Sequence, residues 1–150
     1  MLIEERAADD AELSALLAAA FAELASRYGL EGRSHVKDGA RFLVAVVDGQ
    51  AVGCGALQAT EDPQVGELKR MYVLPECRGR GVATAVLAGV EQLGTELGYR
   101  RIRLATGLRQ PEAIALYEKH GYRLMDPYGK YVHQELTRCY DKALSAASGS

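Results

Sequence analysis

The chain has 150 residues, enough for one domain with a sizeable core. Hydrophobic residues make up 48% and charged residues 25%, the balance of a soluble globular protein. A net charge of −2 argues against non-specific nucleic-acid binding, which needs a strongly positive surface. The most apolar segment near the start, Leu13 to Leu24, is interrupted by Ser14 and Glu23 and reads as an amphipathic helix, not a membrane span. The opening MLIEERAADD is acidic and has no basic region ahead of an apolar one, which argues against a signal peptide. Cys54, Cys77 and Cys139 are scattered, without CxxC spacing. They suit neither a disulfide framework nor a structural zinc site, and they predict a reducing cytoplasm. His35, His120 and His133 include no pair at i, i+4, so no helical metal pair is expected.

Leu2 to Glu5 is a candidate strand. Asp9 and Glu12 have the spacing of a capping box. Leu13, Leu16, Leu17, Ala20, Phe21 and Leu24 then form one apolar helix face that ends near Tyr28. Gly29 to Ala40 is polar and aperiodic and reads as a loop. The run RFLVAVV, the turn Asp48-Gly49 and the run QAVGCGALQA predict a β-hairpin. Gly53 and Gly55 in its second strand suggest a bulge or the close approach of another group. TEDPQ is a turn, and Gly66 to Val73 a third strand stopped by Pro75.

Val82, Val86, Val90, Leu93 and Leu97 recur at helical steps, and Gly98 supplies a stop. Arg101 to Thr106 alternates charged and apolar residues as a strand does. Pro111 opens a helix that closes at Gly121. YRLM and KYVHQELTRCY are late strand candidates. The order β, α, β, β, β, α, β, α, β, β predicts a mixed α/β fold. Residues 1–144 form one domain in this reading, and 145–150, small and polar, a mobile tail.

Between the third strand and the next helix stands ECRGRGVATAVL, Glu76 to Leu87. A helix start leaves N–H groups without intrahelical partners and carries the positive end of the helix dipole. Glycines allow close approach, and Arg78 and Arg80 add charge, so a phosphate or pyrophosphate is the natural ligand. No Lys follows Gly81 as a Walker loop requires, and Thr84 breaks a GxGxxG dinucleotide fingerprint. Taken alone, the turn reads better as a solvated bend.

Its neighbours change that reading. ELKRMYVLPECRGRGVATAVL resembles the core motif of the GNAT superfamily of N-acetyltransferases, whose pattern R/Q-x-x-G-x-G/A appears as Arg78-Gly79-Arg80-Gly81-Val82-Ala83. Downstream, PEAIALYEKHGYRLM resembles the family's second signature, in family order. The resemblance covers roughly Gly66 to Leu124. It implies a mixed, mostly antiparallel sheet with flanking helices, the acyl-CoA acyltransferase fold.

The resemblance further implies acetyl-CoA as cosubstrate, an amine as acceptor and no metal. Backbone N–H groups of Arg78, Gly79, Arg80, Gly81, Val82 and Ala83, with Thr84, would hold the coenzyme pyrophosphate. The third strand of the hairpin set would bulge and splay from its parallel neighbour. Met71 and Val73 would lend backbone groups to the pantetheine arm, and the Val73 N–H would polarise the thioester. Tyr117 would protonate the departing thiolate, and Glu67 would be the general base, with a water chain as the alternative. Glu67, Lys69, Met71 and Val73 share one strand parity, subject to the bulge.

Gln110 stands where many relatives have Asn. It either replaces that coenzyme contact or leaves it missing. His120 reads as a cation at a helix end, Cys77 as incidental, and Tyr128 and Tyr131 as either bordering the acceptor site or packing a loop. The acceptor expected is a small amine: an amino acid, polyamine or aminated drug. Alternatives are acetylation of a protein lysine or N-terminus, or a non-catalytic acyl-CoA-binding module. No nucleic-acid or membrane partner is expected, and dimers are common in the resembling family.

Overall fold

The computed structural model describes residues 1–28 and 36–144, and turn residues separate its elements. They are β1 (Leu2–Arg6), α1 (Ala11–Tyr28), β2 (Arg41–Val47), β3 (Gln50–Ala59), β4 (Val65–Val73), α2 (Val82–Glu96), β5 (Arg101–Gly107), α3 (Pro111–Lys119), β6 (Arg123–Met125) and β7 (Thr137–Ala143). Short 3-10 turns stand at Pro75–Cys77 and Gly129–His133. The seven strands form one sheet in the order β1-β2-β3-β4-β5-β7-β6. Every neighbouring pair is antiparallel except β4 and β5. The mixed sheet expected from the element order is therefore present. No helix among the described residues is long and apolar enough to cross a membrane.

Two helices bury opposite faces of the sheet. Leu13 and Leu16 of α1 pack with Phe42, Val44, Ala56 and Tyr72. On the other face Val82, Val86, Leu87 and Val90 of α2 pack with Leu57, Leu68, Ile102 and Leu104, and Tyr117 of α3 joins them. The glycines of β3 set the distance of α2 from the sheet. A Cβ on Gly53 would lie 2.8 Å from Val82 Cγ1, and one on Gly55 would lie 2.8 Å from Val86 Cγ1. The close approach expected at these two positions is thus made by the helix that follows the RGRG turn.

Three local expectations are corrected. The cap of α1 is Asp10, not Asp9: Asp10 Oδ2 accepts the Leu13 N–H at 3.0 Å. Glu12 does not close a capping box, because its carboxylate accepts from Arg6 and from the Ala51 N–H. The first half of KYVHQELTRCY is not a strand but part of the 3-10 turn, and β7 begins only at Thr137. Of the loop expected at Gly29 to Ala40, residues 29–35 lie outside the described residues, as does the 145–150 tail.

Gly55→Ala tests the packing of α2. A valine on a helix is confined largely to one χ1 rotamer and gives way poorly. The substitution should cost about 1–3 kcal/mol of overpacking, lowering Tm by about 2–4 °C per kcal/mol. An unchanged melting curve would contradict the contact.

Candidate active site

The site begins with an irregularity in β4. β3 and β4 pair from Ala59–Gly66 to Ala56–Lys69, and again from Cys54–Tyr72 to Gly53–Val73. Between these stretches, Gly55 alone faces both Arg70 and Met71. That two-against-one count is a β-bulge. Arg70 sits at φ 58°, the left-handed region, where a non-glycine residue costs about 1–3 kcal/mol. The bulge also reverses side-chain parity. Leu68 and Val73 both pack on the α2 side, whereas Lys69 stands opposite Ala56 on the α1 side with Tyr72. The single face expected for Glu67, Lys69, Met71 and Val73 is therefore corrected: Glu67 and Lys69 face away from Val73.

Beyond the bulge the sheet parts. β4 and β5 pair only over Val65–Glu67 with Arg101–Arg103. From Leu104 onward β5 pairs with β7 alone. The Leu74 N–H donates to Val52 O at 2.9 Å, which makes Gly53–Val73 a non-hydrogen-bonded pair of its ladder. The N–H and C=O of Val73 consequently point away from β3 and into the gap.

The RGRG turn closes one end of this gap. Gly79 and Gly81 adopt φ 77° and 81°. These values favour glycine, and no atom lies within 4 Å of where a Cβ would stand at either. Gly81 is the N-cap of α2, and no side chain caps the helix. The first N–H groups of α2 therefore face open space without intrahelical partners. The Arg78 side chain has another task. Its guanidinium donates to the Glu23 carboxylate at 2.8 and 3.0 Å and to Val73 O at 2.9 Å. It ties the turn to α1 and to the end of β4. The side chain thus anchors the turn, and its backbone forms part of it. Arg80 is exposed beside it.

A cavity of about 900 Å³ joins these parts. The bulged half of β4, the first turn of α2 (Val82 to Thr84), the second half of β5 and the apolar face of α1 (Leu17, Phe21, Leu24) border it. From α3 comes Tyr117, buried, its ring edge against Tyr122 at 5.7 Å between centroids. Burial raises its phenol well above the ordinary value, so it carries its proton at neutral pH. Gln110 borders the cavity while its Oε1 accepts the Gly107 N–H at 3.4 Å. His120 reaches from the end of α3 to Thr84, with 3.3 Å between Nε2 and Oγ1. Cys77 also borders the cavity.

Glu67 lies apart from that cavity wall, buried between two cations. Its carboxylate is 3.2 Å from Lys69 Nζ and 3.3 Å from Arg103 Nε. Arg103 also binds Glu61 through two bonds of 2.8 and 2.9 Å, holding that carboxyl down at about 2. The Arg103 guanidinium lies 3.9 Å from the ring centroid of Tyr128. Lys69 Nζ meets Tyr131 Oη at 2.9 Å. The two tyrosines thus divide the roles considered for them: Tyr131 borders the cavity, and Tyr128 packs on Arg103.

Sequence reading missed the Glu23–Arg78 tie and the Lys69–Tyr131 bond. The pairs are separated by 55 and 62 positions, and no local pattern links them. The apolar face of α1 was legible, and its length past the buried Leu13 and Leu16 is the sign that it goes on to wall the cavity.

Similarity to known proteins agrees with this architecture. Residues 7–122 match the model of the acetyltransferase (GNAT) family. An IAA acetyltransferase of Azospirillum brasilense is 35% identical over 119 residues, 79% of this chain and 78% of that protein. A solved Klebsiella pneumoniae structure assigned as an acyl-CoA N-acyltransferase superposes with a TM-score of 0.82 at 32% identity, covering 96% of this chain and 97% of that one. N-acetylglutamate synthase from Neisseria gonorrhoeae, solved with coenzyme A and N-acetyl-glutamate, shares the fold at a TM-score of 0.70 and 18% identity. That match covers 97% of this chain and 36% of the synthase. With its parted parallel strands, its uncapped helix start and the family match over most of its length, this chain is a GNAT-family acetyltransferase.

Proposed function

We propose that this enzyme moves an acetyl group from acetyl-CoA directly to the primary amine of a small molecule. One observation carries the reading: the open β4–β5 gap, the uncapped start of α2 and the buried phenol of Tyr117 border one cavity. Acetyl-CoA, when bound, supplies the acetyl group as an activated thioester. The residues present suit it. Backbone N–H groups from Arg78 to Thr84 hold the pyrophosphate in a positive helix-end field. Buried backbone polar groups demand partners. The parted edges of β4 and β5, Met71 and Val73 included, offer them to the amide-bearing pantetheine arm.

The chain's own residues then divide the chemistry. The Val73 N–H, fixed towards the gap, is a preorganised donor for the carbonyl oxygen as negative charge grows on it. The C–N bond forms as the C–S bond breaks, and Tyr117 gives its proton to the leaving sulfur. The amine's proton goes to water, and water returns a proton to the Tyr117 phenolate. Glu67, buried and flanked by Lys69 and Arg103, instead anchors that ion-pair cluster. Cys77 takes no part, because transfer is direct. N-acetylaspartate synthetase of Homo sapiens, 36% identical over 66% of this chain and 33% of that protein, supports a small-molecule acceptor over a protein one.

A thiol-release screen of amines with acetyl-CoA tests the reading, and some amine must give turnover above the hydrolysis background. Tyr117→Phe should lower kcat by about a hundredfold with acetyl-CoA affinity nearly unchanged. Equal turnover would remove Tyr117 as the acid. Glu67→Gln should lose about 3 kcal/mol of stability by uncovering buried cations, yet keep the shape of the pH–rate profile. A shifted acidic limb would restore Glu67 as the base. Gly81→Val forces a branched residue to positive φ and should raise the acetyl-CoA dissociation constant at least about tenfold by calorimetry. Unchanged affinity would remove the turn from the donor site.

A further inference from the structure

Tyr131 is 9% exposed, and its hydroxyl oxygen lies 2.9 Å from Lys69 Nζ. An ammonium group has donors only, so Lys69 donates and the tyrosine oxygen accepts. The hydroxyl proton of Tyr131 is left to donate to something else. The ring that carries it is fixed: Tyr128 meets it edge-on at 5.4 Å, and Lys69 and Lys130 each hold an ammonium 5.4 Å from its centroid. Tyr131, Lys69 and Lys130 all border the cavity.

Cations outnumber carboxylates on this wall. From β4 and the segment around the second 3-10 turn come Lys69, which is paired with Glu67, together with Arg70, Lys130 and His133, against the carboxylate of Glu135. Of the other carboxylates that border the cavity, Glu23 on α1 is held by Arg78, and Glu112 stands in the first turn of α3. A polyamine would bring a second cation against this wall, and like charges repel at that range. An amine that also carries an acid group would meet a directed O–H and an ammonium. The same positive field favours the neutral, nucleophilic form of the acceptor amine.

The geometry points to Tyr131 Oη and Lys130 Nζ as the receivers of a carboxylate on the acceptor, which makes the acceptor an amino acid or a similar acid-bearing amine. This rests on the small-amine acetyltransferase reading and adds the acceptor class and the residues that select it.

The test uses the full chain, acetyl-CoA and matched pairs of amines that differ only in the carboxylate: phenylalanine with phenethylamine, leucine with isoamylamine, lysine with cadaverine. The carboxylate-bearing member of the best-used pair should have the higher kcat/KM, by about tenfold or more, the usual worth of a hydrogen bond to a charged group. Tyr131→Phe should erase most of that preference by raising KM for the acid-bearing member alone. Lys130→Gln, at an exposed position where folding is not at stake, should narrow the preference in the same way. Equal or better use of the amines lacking a carboxylate overturns the acceptor class while the acetyltransferase reading stands. A preference untouched by both variants overturns the assignment to Tyr131 and Lys130. Transfer to no amine at all overturns this inference together with the reading beneath it.

Discussion

Two neighbouring parallel strands that pair over only three residues leave a sheet with unmet backbone groups in its middle. The rest of this molecule depends on that parting. β4 is held to β3 on one edge and β5 to β7 on the other, so the sheet is continuous at its base and open at its top. The bulge at Arg70 and Met71, with Arg70 at φ 58°, turns β4 away from its neighbour. Strain of this kind persists only where the surroundings over-determine it. Here those surroundings are the β3 ladder and the close packing of α2 over Gly53 and Gly55.

The parting also separates two electrostatic jobs. On one side the start of α2 offers backbone donors and a helix-end field, with no carboxylate cap to compete with a ligand. On the other, Glu67 sits with Lys69 and Arg103 in a cluster that would be costly to leave unbalanced. Arg78 joins the two sides mechanically. By binding Glu23 it ties α1, one wall of the cavity, to the RGRG turn. The end of the cavity at the RGRG turn therefore offers mainly backbone groups, and the end at Lys69 and Tyr131 mainly side chains.

This division explains what was legible in the sequence. The order of elements follows from turn residues and hydrophobic periods, which are local, and nearly all of it could be read. The RGRG turn was legible because its geometry is backbone geometry: glycine spacing and the onset of a helical period place N–H groups without reference to distant residues. The bulge was expected only through the family resemblance, because it is a property of two strands counted against each other. Its place, and with it the reversed parity of Glu67 and Lys69 relative to Val73, needed the structure. The capping residue of α1 was missed by one position because Asp9 and Asp10 are adjacent and only geometry separates them. Lys69 and Tyr131, like Arg78 and Glu23, meet through tertiary packing, which no local period encodes.

The central claim is that the parted strands and the uncapped helix start together form the donor site. Backbone amide hydrogen exchange, measured with and without acetyl-CoA, reads those N–H groups directly. The account predicts slower exchange at Val73 and from Gly81 to Thr84 when acetyl-CoA is present, with the β1–β2 ladder unaffected. Exchange unchanged at these amides under saturating acetyl-CoA would contradict it.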